Sequence, residues 1–192
     1  MTVAVRKDRR YVYKDYLAWP EDERWEIIDG TAYNMSPAPT VRHQRMVGNI
    51  FYLLKALIDN QCPVFSAPTD VVLDDLNIVQ PDIFIVCDTK KITDNNIQGA
   101  PDLIFEIISP ATEVKDRREK KNLYERFGIK EYIIIFPERE YAERYCLIEN
   151  RFGSSEIFNW DEVFKLTVFD IEIKLWEIFE KKKVKMEDGQ LR

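Results

Sequence analysis

The sequence predicts an α/β fold in a single domain of 192 residues. Apolar residues recur at helical spacing in two long segments, and short β-branched or aromatic runs lie between and after them. Near the start, an Asp29-Gly30 pair separates two short β-rich stretches, a strong hairpin signal. The chain is 45% hydrophobic and 32% charged, so it has the makings of an ordinary folded domain with a real core.

Each element follows from local chemistry. Residues 13–19 predict a short amphipathic helix that stops at Pro20, and residues 25–34 predict two strands around Asp29-Gly30. After Ser36-Pro37-Ala38-Pro39, Thr40 stands where it can cap a long helix whose face is Val47, Ile50, Phe51, Leu54, Leu57 and Ile58. Residues 63–73 predict two strands joined near Ala67-Pro68, and residues 83–86 a short strand of the kind buried in a sheet. A polar connection over 88–98 leads to the apolar run 103–108, which Ser109-Pro110 ends. Residues 112–127 return to helical spacing, opened by Thr112 and Glu113 and closed by Gly128. Residues 132–136 predict a central strand, with further strands at 142–148 and 155–158. The chain closes with a short apolar helix near 173–179 and a solvated Lys181-Lys182-Lys183 tail, and no repeat or linker splits it.

Composition removes several function classes. No apolar segment follows MTVAVRKDRR, and no stretch approaches the roughly 18 apolar residues of a membrane span, so the protein is expected in the cytoplasm. A net charge of −6 argues against a general DNA-coating protein, whose affinity comes from Lys and Arg, and leaves room for a local basic patch. Cys62, Cys87 and Cys146 are odd in number and lack a CxxC pair, so they read as buried structural thiols. With one histidine in the chain, any Ser-His or Cys-His triad must run through His43, and multi-histidine zinc sites are excluded. Metal chemistry therefore falls to carboxylates.

Two acids stand out. Asp82 follows Pro81 at the mouth of one strand, and Glu106 interrupts the apolar run 103–108. Magnesium is commonly held by one or two carboxylates with water and a substrate phosphate, so two acids on neighbouring strands suffice. A buried carboxylate costs several kcal/mol unless a cation, a basic partner or a wet cleft meets it. The plainer readings stay open: Glu106 facing out from an edge strand or paired with an Arg, and Asp82 as a turn residue. In the following helix Asp116, Lys120 and Tyr124 are spaced four apart and share a face, either as an ordinary ion pair or as a lysine reaching the two acids. Arg117, Arg118 and Lys121 read as surface charge.

Several of these residues resemble one family. Trp25-Glu26-Ile27-Ile28-Asp29-Gly30, His43-Gln44, Gln80-Pro81-Asp82, Glu106-Ile107-Ile108-Ser109-Pro110, the spaced Asp116, Lys120 and Tyr124, and Gly128-Ile129-Lys130-Glu131-Tyr132 together are similar to the Uma-type restriction endonucleases, over roughly residues 13–179. That resemblance implies the PD-(D/E)XK, restriction-endonuclease-like core: a central mixed β-sheet flanked by α-helices, with an N-terminal β-hairpin. It implies catalytic Asp82 and Glu106, and a metal, Mg2+ or Mn2+, on Asp82 and Glu106 with Glu26 as an extra ligand. The lysine departs from the wider pattern, because the residue two after Glu106 is Ile108; Lys120 takes its place, to orient water or balance charge. His43, Gln44, Gln80 and Tyr124 are the expected substrate contacts. The implied activity is hydrolysis of DNA phosphodiesters, with RNA the nearest alternative substrate. The rival is a catalytically inactive nuclease-fold protein that binds nucleic acid or protein. A homodimer is a further expectation, and Trp160, Phe164 and Trp176 could supply the contact or belong to the core. Specificity would come from loops, with 88–98 the long one.

Overall fold

In the computed structural model, which describes residues 5, 6, 8–20, 22–35, 38–58 and 62–182, the strands form two large sheets and one two-stranded sheet. The first half contains β1 (Val5–Arg6), α1 (Tyr13–Tyr16), β2 (Trp25–Ile28), β3 (Thr31–Asn34), α2 (Val41–Leu57), β4 (Val64–Ser66), β5 (Val71–Asp74), β6 (Asn77–Val79), β7 (Ile83–Ile85) and β8 (Ile97–Gln98). The second contains β9 (Leu103–Ile107), α3 (Lys121–Arg126), β10 (Glu131–Phe136), β11 (Tyr141–Ile148), β12 (Arg151–Phe152), β13 (Glu156–Asn159), β14 (Val163–Leu166), β15 (Ile171–Lys174) and α4 (Leu175–Ile178). The Ser36-Pro37 part of the expected loop and Lys183 of the expected tail lie outside the described residues.

The larger sheet runs β12-β11-β10-β9-β7-β4, with β13 also paired to β11. It is mixed: β9 and β10 are parallel, whereas β7, β4 and β11 join antiparallel. Successive side chains of a strand face opposite sides, and here both sides are covered, which is why its strands read as continuous apolar runs. Ile83, Ile85, Leu103, Phe105, Ile107, Ile133 and Ile135 pack with Met46, Ile50 and Leu54 of α2 and with the C-terminal Phe164, Leu166 and Ile178. Phe84, Ile104, Ile108, Tyr132 and Ile134 pack on the other side with Leu123 and Tyr124 of α3. Glu106 shares that second face by alternation.

The smaller sheet runs β1-β3-β2-β6-β5-β8 and contains the predicted hairpin. Asp29 and Gly30 both have positive φ, 51° and 76°, as a type I′ turn requires. A Cβ on Gly30 would lie 3.1 Å from the Cβ of Arg10, so this turn is tight as well as left-handed. Thr40 caps α2 as expected, its hydroxyl accepting from the His43 N–H.

Several expectations are corrected. Cys62 and Cys87 form a disulfide, not separate buried thiols, and Cys146 alone is free and half-buried. The pairing of β4 with β7 sets Val64 opposite Ile85, and the same register carried two residues further brings Cys62 opposite Cys87. The predicted C-terminal helix is one turn, because residues 163–174 form the β14–β15 hairpin that the sequence reading missed, along with β6 and β8. Thr112 does not cap in the expected way: the Thr112 and Glu113 amides bond the Ser109 carbonyl, and the Thr112 hydroxyl accepts from the Ser109 amide. Lys181 is not a free tail residue, since it pairs with Glu140 and lies 4.5 Å from the Trp160 ring. Phe164 is core, 1% exposed, and cannot supply a dimer contact.

Phe105 fills the middle of β9 between α2 and the sheet. Phe105→Ala is expected to cost about 3–5 kcal/mol of stability, read by urea unfolding; a loss under about 1 kcal/mol contradicts its place in the packed core.

Candidate active site

The chain passes from the smaller sheet to the larger one at Gln80-Pro81-Asp82, between β6 and β7. This crossing sets Asp82 beside Glu106 of the adjacent β9, and both line a cleft of 420 Å3. Thr40, His43 and Gln44, at the start of α2, line the same cleft, as do Lys115, Asp116 and Lys120. Such a volume is of ordinary ligand-site size.

Immediately before α3, residues Lys115–Lys120 are wound as a π-helical segment. The wider winding brings side chains five apart nearer to one side than an α-helix would, and Lys115 and Lys120 both reach Glu26. The Lys120 ammonium bonds Glu106 Oε1 at 2.8 Å and Glu26 Oε1 at 2.7 Å, with Asp116 3.8 Å away. Lys115 bonds Glu26 Oε2 at 2.5 Å, and the Gln80 amide donates to Glu26 Oε1. The Tyr124 hydroxyl donates to Glu106 Oε1 at 2.9 Å. Asp82 Oδ2 accepts from the Ile107 amide at 2.8 Å and lies 3.2 Å from His43 Nε2. Asp82 Oδ1 and Glu106 Oε2 are thus left without a protein partner among the described residues.

The charges do not balance. Glu26, Glu106 and Asp116 bring three carboxylates to the two ammonium groups of Lys115 and Lys120, while Asp82 pairs with His43. Burial pushes the Glu106 carboxyl up to about 8, since the one shared lysine is outweighed by burial together with Asp116, Asp82 and Glu26. Glu26 is also desolvated, but two lysines hold it down to about 2. Burial works against the Lys120 cation, yet Glu106, Glu26 and Asp116 more than offset this and hold its pKa well above the ordinary lysine value. Burial likewise opposes charge on His43, and the bond to Asp82 raises it overall.

These residues fit a divalent cation. Among the described residues no three His, Cys, Asp or Glu side chains enclose a metal by themselves, but Mg2+ needs only one or two carboxylates completed by water and phosphate. Asp82 and Glu106 offer two unpartnered oxygens, and a 2+ charge there would offset the repulsion that keeps the proton on Glu106.

The expected site residues are placed unevenly. Asp82, Glu106, Lys120, His43, Gln44 and Gln80 line the cleft. Glu26 is buried with both oxygens bonded to lysines or the Gln80 amide, so it holds the lysines and has no oxygen left for a cation. Tyr124 is fully buried against Glu106, which corrects its expected place among the substrate contacts: it orients the carboxylate from behind. Gln80 is fastened by Arg24, Tyr16 and Asp70. The sequence reading missed Lys115, because an α-helical template pairs positions three or four apart and this segment is wound to five.

The opposite shifts of Glu26 and Glu106 predict a pH profile. Glu106 holds its proton in the folded state up to about pH 8 but ionises near 4.5 when unfolded, so its contribution falls as pH rises through that window. Glu26 works the other way, stabilising above 4.5 and losing this as pH falls toward 2. Thermal unfolding in EDTA should show the loss between pH 5 and 8 shrink in Glu106→Gln, and Mn2+ should restore stability to the wild type; identical slopes in both proteins contradict the charge surplus.

Known proteins were compared with this chain. The profile of the Uma2 family, described as "Putative restriction endonuclease", matches residues 13–175. An uncharacterized protein of Synechocystis sp. is 25% identical over 126 residues, covering 64% of this chain and 66% of that protein's length. The crystal structure of a protein from Anabaena variabilis, described as a "putative nuclease belonging to DUF820", superposes with a TM-score of 0.73 at 17% identity, covering 88% of this chain and 97% of that one. That likeness establishes the shared fold. With the family profile spanning the hairpin, both acids and Lys120, the chain belongs to the Uma2 restriction endonuclease family.

Proposed function

We propose that this protein is a metal-dependent endonuclease that hydrolyses DNA phosphodiester bonds in the cleft lined by Asp82, Glu106 and Lys120. The observation that carries the reading is a pair of unpartnered carboxylate oxygens beside a permanently charged lysine in one cleft. Asp82 and Glu106 would hold Mg2+ or Mn2+, which polarises a phosphate oxygen and lowers the pKa of bound water.

The chain's own groups divide the remaining work. Lys120 stays protonated, so it cannot take a proton from water; it offsets the charge that builds on the phosphate. Glu26 and Glu106 hold its ammonium from two sides, which fixes its position before substrate arrives. His43 and the Ile107 amide occupy Asp82 Oδ2 and so leave Oδ1 as the oxygen available to a cation. Gln44 and His43, on the first turn of α2, lie where the positive end of the helix dipole favours a phosphate. Lys120 serves as the lysine that other folds of this type carry two residues after the second acid, where this chain has Ile108.

A second reading, a nuclease-fold protein that binds nucleic acid without cutting it, is favoured by the net charge of −6.

Supercoiled plasmid and single-stranded DNA incubated with Mg2+ or Mn2+ should be cut by the wild type and cut about 10²–10³-fold more slowly by Asp82→Asn and Lys120→Met. Calorimetric titration should show Mn2+ uptake that Asp82→Asn loses. Cleavage unchanged in both variants overturns the assignment, and a folded wild type that takes up no metal and cuts nothing favours the binding-only reading.

A further inference from the structure

A second cavity, of 360 Å3, adjoins the cleft and shares Pro68 and Gln80 with it. Its chemistry differs from the cleft's. The cleft mixes Arg24, Arg42, Lys115 and Lys120 with Asp82, Glu106, Asp116 and Glu138, whereas no Lys, Arg or His lines the second cavity, which carries Asp70 and Asp94. A phosphate finds cations only in the first.

The second cavity is also built in advance. Asp70 Oδ1 accepts from the Tyr16 hydroxyl at 2.7 Å and from Gln80 Nε2 at 2.8 Å, which leaves Oδ2 without a protein partner among the described residues. The loop on the opposite side is closed on itself, with the Thr93 amide and hydroxyl bonding the Asn96 carbonyl, and Asn96 Nδ2 bonds the Tyr13 hydroxyl at 2.9 Å. Phe65, stacked on Phe84 with ring centroids 5.3 Å apart, and Ile92 give the cavity an apolar edge, since Ile97 is buried. An aromatic edge, a free acceptor and no cation suit a nucleobase.

We propose that this cavity seats one base whose amino group stands at C6 or C4, adenine or cytosine, unstacked from the strand whose phosphate occupies the cleft. Asp70 Oδ2 would accept from the amino group, as acidic side chains do from cytosine N4, while thymine or uracil would set its O4 acceptor against a carboxylate. Gln80, held by Arg24 on the cleft side and Asp70 on the other, is the shared wall that keeps phosphate and base subsites in register. The proposal rests on the nucleic-acid reading above and adds to it a base preference at one position beside the cut.

Binding of fluorescein-labelled single-stranded oligonucleotides of dA, dC and dT is measured by anisotropy with Ca2+ in place of Mg2+, and cut ends from a random single-stranded library are sequenced with Mn2+. Asp70→Asn keeps an acceptor for Tyr16 and Gln80 and replaces the free carboxylate oxygen with a donor; Asp94→Asn, on the exposed loop, is the second variant. Wild type should bind dA or dC at least ~10-fold more tightly than dT, with the same bias at one library position, and Asp70→Asn should flatten or reverse it. Equal binding of the three oligonucleotides, or a bias unchanged in both variants, overturns the base pocket while leaving the nuclease intact. A base bias without cleavage upholds the pocket and overturns the nuclease reading; no binding of any oligonucleotide overturns both.

Discussion

Lys120 places one ammonium group between two carboxylates that come from different sheets, Glu26 on β2 and Glu106 on β9. Buried this deeply, none of the three can lose its partner cheaply: removing one member of a buried pair typically costs about 3–5 kcal/mol, because an uncompensated charge remains. The constraint therefore fixes more than the site. It ties the N-terminal hairpin to the central sheet and holds the π-helical segment against both, and it gives that irregular winding its reason. An α-helix through residues 115–120 would not bring Lys115 and Lys120 onto one side.

The same network sets the electrostatics of the cleft. Two lysines cannot neutralise three acids, and they are shared unequally: Glu26 receives both ammonium groups, while Glu106 shares one and feels the other acids. The deficit is thus concentrated on Glu106, next to Asp82 and at the edge of open space. A structural ion cluster of equal numbers would leave no such surplus. Across the Gln80 wall the cations end, because the second cavity carries Asp70 and Asp94 and no Lys, Arg or His.

Much of the fold was legible locally. The Asp29-Gly30 turn, the Thr40 cap and most of the apolar stripe of α2 are set by neighbours in the chain, and the structure contains them, with Leu57 exposed instead of buried. The β14–β15 hairpin was not read, although Ile171–Lys174 alternates apolar and charged residues, because each strand is only four residues long and pairing is what stabilises it. Nor was the Cys62–Cys87 bond, since the register of β4 on β7 is a long-range property. In the site, Glu106 was conspicuous as an acid inside an apolar strand, Asp82 and Lys120 stood out by position and spacing, and the resemblance to a family joined them with His43. Lys115 escaped because its partner, Glu26, is 89 residues away.

The sequence by itself determined which residues carry charge where charge is costly, and so where chemistry must be sought: a single histidine, a carboxylate in a buried strand, and a lysine on the helix that follows it. These are consequences of composition and of periodicities that act over a few residues. Only the tertiary structure decided how the charges are shared. Whether Glu26 serves a metal or a lysine, whether Tyr124 faces substrate or supports Glu106, and whether the 88–98 connection borders a second pocket all depend on Coulomb and hydrogen-bond partners brought together across sheets. No local pattern records those distances.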